Sequence, residues 1–141
     1  MRRSLSALLL VAAVSLAGCG GDGGTGPTAS LPGTYTLSTV NASALPLVVY
    51  QDADYKLEIV GGSFVIAGNG TYTETVRARE TDSSGAVETP IACPGTYTRS
   101  GNTLTLTEPE TDACGGTYSG TWDGHDALSV DYGGVVAVYK R

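Results

Sequence analysis

Three cysteines, one histidine and fourteen carboxylates are the side chains with which this sequence could do covalent, metal or acid–base chemistry. His125 stands in Asp123-Gly124-His125-Asp126, a turn signal between two strand-like runs, and there is no second imidazole to share a metal or a proton with it. No Gly-x-Ser-x-Gly elbow supplies a nucleophile either, so His125 reads as an exposed turn residue and not as a general base. Asp123, Asp126 and a carbonyl are oxygen ligands of the kind Ca²⁺ takes, but the twelve-residue EF-hand pattern is absent. The remaining acids, among them Asp52, Asp54, Glu58, Glu74, Glu80, Glu88, Glu108, Glu110, Asp112 and Asp131, fall in turns or alternate with apolar residues, which predicts a solvated face. A catalytic carboxylate pair is defined by a separation in space, which no sequence spacing reveals. Nothing here argues for an enzyme or a cofactor.

Charge and length narrow the partners. Eight basic against fourteen acidic residues give a formal charge of −6, which argues against nucleic acid, because phosphate binding needs clustered Lys and Arg. With 141 residues the chain holds one ordinary domain.

The N-terminus reads as an address. Met1-Arg2-Arg3 is basic, and Leu5 to Leu16 is an apolar run that suits the h-region of a secretory signal but is shorter than the roughly 20 residues a membrane-spanning helix needs. The run ends in Leu16-Ala17-Gly18-Cys19, which resembles the lipobox of bacterial lipoprotein signal peptides at all four positions. The resemblance implies cleavage before Cys19, diacylglycerol on its sulfur and acylation of the new amino terminus. Since each buried methylene contributes about 0.8 kcal/mol, two or more chains would hold the protein stably on a membrane. Gly20 stands where Asp marks inner-membrane retention in that family, which favours the outer membrane in a host that has one, with the domain in the periplasm or at the cell surface. Residues 1–18 are then the signal peptide and 19–30 the lipidated cysteine and a Gly-rich tether. A flexible chain of that kind spans about 17–20 Å on average. Losing Arg2 and Arg3 takes the formal charge from −6 to −8.

Cys93 and Cys114 remain, in a chain expected to meet an oxidising compartment. Cys93-Pro94 lacks the Cys-x-x-Cys spacing of redox proteins, so a structural disulfide is favoured over a metal or redox role.

The elements that must position these residues are strands. Gly-Thr-Tyr followed by Thr or Ser occurs at residues 33–36, 70–73, 95–98 and 116–119; Thr and Tyr suit a half-buried pleat, and the Gly before each predicts a turn from which a strand begins. Alternation, as in Thr103-Leu104-Thr105-Leu106-Thr107, and turn signals such as Gly68-Asn69-Gly70 and Ser100-Gly101-Asn102 predict eight strands near 33–40, 55–67, 70–80, 86–98, 102–107, 115–122, 126–131 and 134–140. The one long connection, Asn41 to Ala53, holds Leu45-Pro46-Leu47-Val48-Val49-Tyr50 and is expected to cover one end of the core. Sequential antiparallel strands with tight turns predict an all-β, up-and-down β-barrel for residues 31–141, with a β-sandwich as the alternative. The immunoglobulin type of sandwich wants a Trp between two cysteines, whereas Trp122 follows both. Leu, Ile, Val and Phe number 23 of the domain's 111 residues, close to the roughly 20% below which chains tend to stay disordered, so the eight tyrosines, Trp122 and a disulfide must complete the core.

Residues 31–141 also resemble small bacterial lipocalin-like lipoproteins. Leu31-Pro32-Gly33-Thr34-Tyr35 is similar to the Gly-x-Trp that opens the first lipocalin strand, with Tyr35 in place of Trp. Gly68-Asn69-Gly70-Thr71-Tyr72 and the later Gly-Thr-Tyr followed by Gly-Asn-Thr-Leu-Thr-Leu resemble internal hairpins of that family. The resemblance implies a barrel that binds a small apolar ligand, and a basic residue, Lys140 or Arg141, stacked on Tyr35. The expected protein is a lipid-anchored binding module of the cell envelope. A protein-interaction module, such as a protease inhibitor or an assembly subunit, is the second expectation, with its partner unidentified. Exposure of an apolar Asn41–Ala53 segment would favour the second.

Overall fold

The computed structural model describes residues 29–141, and the expected signal peptide, Cys19 and nearly all of the tether lie outside the described residues. Ten strands follow one another: β1 (Gly33–Val40), β2 (Ser43–Ala44), β3 (Leu47–Gln51), β4 (Lys56–Ile66), β5 (Thr71–Asp82), β6 (Gly85–Ser100), β7 (Thr103–Glu108), β8 (Gly116–Trp122), β9 (Ala127–Asp131) and β10 (Val136–Lys140). Each strand from β4 to β10 pairs antiparallel with the next, and β1 pairs with both β10 and β4, so eight strands close an up-and-down barrel. The barrel expectation holds, and the eight expected strands are the eight that close it.

β1 splits its partners. Gly33–Thr36 pair with β4 and Thr36–Val40 with β10, with a register shift between Leu37 and Thr39 that lets β1 pass from one to the other. β2 and β3 come from the Asn41–Ala53 connection and extend the sheet without entering the barrel. Leu45 and Leu47 pack against the core, while Val48, Val49 and Tyr50 are 46, 54 and 52% exposed. The segment therefore does not cap the core as expected. Its β-branched run finds backbone partners along Lys56–Ile59 of β4, and that pairing leaves Val48 to Tyr50 in solvent.

The two barrel ends differ. At the end that carries the turns 67–70, 100–102 and 123–126, aromatic and aliphatic side chains fill the interior. Phe64 stacks on Tyr72 with ring centres 4.7 Å apart and meets Tyr139 edge-on at 5.4 Å, and Tyr35, Leu104, Leu106, Trp122, Leu128 and Val130 complete the layer. The shortage of aliphatic residues is thus met by buried aromatics, each of which removes about 150–250 Å² from water. Leu31 is buried here, its carbonyl accepting the Tyr35 hydroxyl at 2.7 Å, so the chain joins the barrel at the packed end.

The opposite end is open. There β3, the first part of β4, the last part of β5 and the first part of β6 form a four-stranded wall that stands beyond the barrel, because β6 pairs with β7 only through Thr96–Ser100. Along Gly85–Pro94 β6 has β5 on one side only, and Pro90 and Pro94 blunt that edge against a further strand because proline has no N–H to donate.

Three of the four Gly-Thr-Tyr copies open a strand as expected, with Gly33, Gly70 and Gly116 at positive φ. The copy at Gly95 lies in the interior of β6 and is a correction. Gly95 faces inward opposite Tyr72, and a Cβ there would come within 2.4 Å of the Tyr72 ring. The glycine makes room for an aromatic ring and turns nothing.

Candidate functional site

The open end holds a cavity of about 480 Å³. Strand alternation explains its lining. Leu37, Val76, Ile91 and Ala137 lie on the inner face, one pleat nearer the mouth than the packed layer of Tyr35, Phe64 and Tyr139. The mouth is flanked by Val135 from the β9–β10 turn and by the loop 109–115 between β7 and β8. The volume falls within the roughly 300–1,000 Å³ of small-molecule sites.

Cys93 and Cys114 form a disulfide, Cα atoms 5.6 Å apart, that fastens the 109–115 loop to β6 and lines the cavity with both sulfurs. Cys93 shares the inner face with Phe64 and Glu74, which directs its sulfur toward the loop that crosses the mouth. Glu108 lies beside the two sulfurs, but sulfurs bonded to each other are not thiolate ligands, and the cluster offers a metal one carboxylate.

Two acids form the floor. Glu74 follows Tyr72 on the inner face of β5, and Glu108 follows Leu104 and Leu106 on the inner face of β7; they are 7 and 6% exposed. Glu74 accepts the hydroxyl of Tyr139, and Glu108 accepts the hydroxyl of Tyr72 at 3.2 Å and the backbone N–H of Gly115. Burial pushes the Glu74 carboxyl above the ordinary carboxylate range against the pull of the Tyr139 and Tyr132 hydroxyls. Burial likewise raises Glu108, helped by the charge of Glu74. Burial first, then the neighbouring carboxylate charge, raises the Tyr72 phenol, so it stays a donor.

The solvated-face expectation therefore fails for Glu74 and Glu108. Alternation carried the signal: Glu74 shares parity with Tyr72 and Val76, and Glu108 with Leu104 and Leu106, so each acid sits on the apolar side of its own strand. It fails for Glu58 as well, which is on the outer face but 5% exposed, covered by Lys56 at 3.2 Å and Arg79 at 3.0 Å. Burial works against the Glu58 charge, and hydrogen bonds from Lys56 and Arg79 outweigh it and hold the carboxyl low. The other acids named from the sequence are exposed.

His125 is exposed in its turn, its N–H donating to Asp123 Oδ1 at 2.8 Å. Ala127 N–H donates to the same oxygen, and these backbone bonds hold the Asp123 carboxyl below its usual range. Asp123 thus serves as the cap of the β8–β9 turn, with one of its oxygens already shared by two backbone donors. Of the two basic residues set against Tyr35, it is Arg141 that stacks, its guanidinium carbon 4.5 Å from the ring centre. Comparison with protein-family models, with curated proteins and with solved structures finds no match to this chain.

Proposed function

We propose that this protein is a lipid-anchored, non-enzymatic binding module of the bacterial cell envelope, held through Cys19, that carries a small apolar ligand in the open end of its barrel. The observation that carries the reading is the cavity of about 480 Å³ beside a packed opposite end. A barrel filled by side chains throughout would have no room for a guest. Leu31 docks at the packed end, so a tether from Cys19 arrives there and leaves the mouth turned away from the anchor. Native mass spectrometry of protein purified from its host is expected to show a bound small molecule that is lost in Ile91→Trp, which places a ring at the mouth. A host-purified protein that carries no adduct and takes up no apolar probe would overturn the reading. For the anchor, Cys19→Ser is expected to move the protein into the soluble fraction, and retention in the membrane fraction would refute the lipid.

A second reading has its own observation. Val48, Val49 and Tyr50 form an exposed apolar run on the outermost strand β3, which suits contact with another protein. Crosslinking in host membranes is expected to capture a stoichiometric partner that Val49→Lys releases, and its absence would remove this reading.

A further inference from the structure

Resting on the ligand-binding reading, we propose that the occupant of the cavity is an amphipathic molecule with an apolar body and a cationic nitrogen, seated with the nitrogen at Glu74 and Glu108. The cavity itself is the first ground: Leu37, Val40, Ile59, Val76 and Ile91 give it aliphatic walls, and the carboxyl groups in its lining are those of Glu74 and Glu108.

The second ground is the direction of the hydrogen bonds there. Every side-chain hydroxyl lining the cavity already serves a protein acceptor. Tyr139 donates to Glu74, Tyr118 to the Gly115 carbonyl, and Thr111 to the Cys114 carbonyl at 3.2 Å. The Tyr132 hydroxyl lies 3.5 Å from that of Tyr139, whose proton is committed to Glu74, so Tyr132 is the donor of that pair. Acceptors remain. An ionised carboxylate has about four lone-pair sites, whereas Glu74 receives the Tyr139 hydroxyl and Glu108 receives the Tyr72 hydroxyl and the Gly115 N–H. A guest that brings N–H donors completes these two groups, whereas a carboxylate or phosphate guest meets two acceptors and no free side-chain hydroxyl.

Charge points the same way. Among the described residues no Lys, Arg or His lines the cavity. The burial that makes an anion costly at Glu74 and Glu108 is offset by a cation held against them. An anionic guest of the same shape would add its charge beside two buried carboxyl groups in a low-dielectric pocket.

The test is calorimetric titration of the protein, carrying Cys19→Ser so that no detergent competes, with three probes of equal chain length: decylammonium, decanol and decanoate. Decylammonium is expected to bind at least about tenfold more tightly than decanoate, the order set by one hydrogen bond to a charged group. Glu74→Gln keeps the acceptor for Tyr139 and should remove most of that preference, as should Glu108→Gln, each checked for folding by near-ultraviolet circular dichroism. Asp54→Asn removes the same charge from an exposed turn and should preserve the preference. Equal binding of the three probes, or a preference untouched by both Gln variants or lost equally in Asp54→Asn, overturns the inference and leaves the cavity reading intact. Failure of all three probes to bind overturns both.

Discussion

The Arg141 guanidinium carbon lies 4.5 Å from the centre of the Tyr35 ring, joining the end of β10 to β1 at the packed end of the barrel. The same guanidinium donates to the carbonyls of Ser30, Leu31 and Pro32 at 2.6, 2.8 and 2.7 Å, so one side chain both caps the core and fixes the segment that leads into it. Burial raises the Tyr35 phenol and the Arg141 charge opposes that rise.

Arg141→Ala should therefore cost about 1–3 kcal/mol, the sum of a surface cation–π contact and charged hydrogen bonds. The expected melting temperature falls by several degrees. Lys140 is exposed beside it and faces the other way, so Lys140→Ala should stay within about 0.5 kcal/mol of the parent. Equal effects of the two substitutions in a thermal melt would refute the assignment of the capping role to Arg141.

Gly95 and Tyr72 form a second pair whose sizes are matched. Strand propensity alone favours Ala over Gly at residue 95, yet an added Cβ would enter the Tyr72 ring. Gly95→Ala is expected to destabilise by about 1–3 kcal/mol, as overpacking does. In a Tyr72→Leu background the same change should cost less than in the parent, because the obstructing ring is gone. Additive costs in urea unfolding would show that the ring is not what excludes the methyl group.

The disulfide closes a span with sequence separation 21, which restricts the unfolded chain by about 3 kcal/mol. The double variant Cys93→Ser/Cys114→Ser should unfold at lower urea by that amount. Because the bond fastens the loop 109–115 at the cavity mouth, the same variant should also release a bound probe faster. Thiol titration of the unreduced, denatured Cys19→Ser protein should find no free thiol, and two reactive thiols would refute the bond.

Much of this architecture was legible because alternation and turn residues act locally. Each barrel strand could be placed from runs such as Thr103 to Thr107, and closure followed from sequential antiparallel pairing. The site was less legible. For Glu74 and Glu108 polarity points to solvent while parity with Tyr72 and Leu106 points inward, and parity prevails, since a side chain's face is set by position and not by charge. Pairing across long sequence separations hid the rest. Nothing near Glu74 announces that Tyr139, 65 residues away, donates to it, nor that Ala42 turns at φ 63° so that β2 can lie beside β1. The Asn41–Ala53 segment departs from the cap its apolar composition predicts for a related reason: Leu47 to Gln51 satisfy a backbone ladder with β4, which leaves Val48, Val49 and Tyr50 exposed.

The buried acids give the protein a pH dependence that is opposite in sign to that of its surface turns. Burial lifts Glu74 and Glu108, so the folded state holds their protons to higher pH than the unfolded chain does. Their favourable contribution is present in acid and is lost as pH rises through the folded-state values. Asp52 and Asp123, held low chiefly by backbone N–H groups, contribute in the opposite sense and lose their contribution as pH falls. Glu74→Gln reads the first effect, because glutamine keeps the bond from Tyr139 and cannot ionise, and the loss of the Glu74 charge lowers Glu108 in the same stabilising sense at high pH. The melting temperature of Glu74→Gln minus that of the parent, measured without ligand, should rise from about pH 5 to about pH 8. A decylammonium-saturated sample should reverse that trend, since the bound cation stabilises the ionised carboxylate of the parent and gives the glutamine nothing. A difference that stays flat with pH in the free protein would mean that Glu74 is not held above its ordinary range.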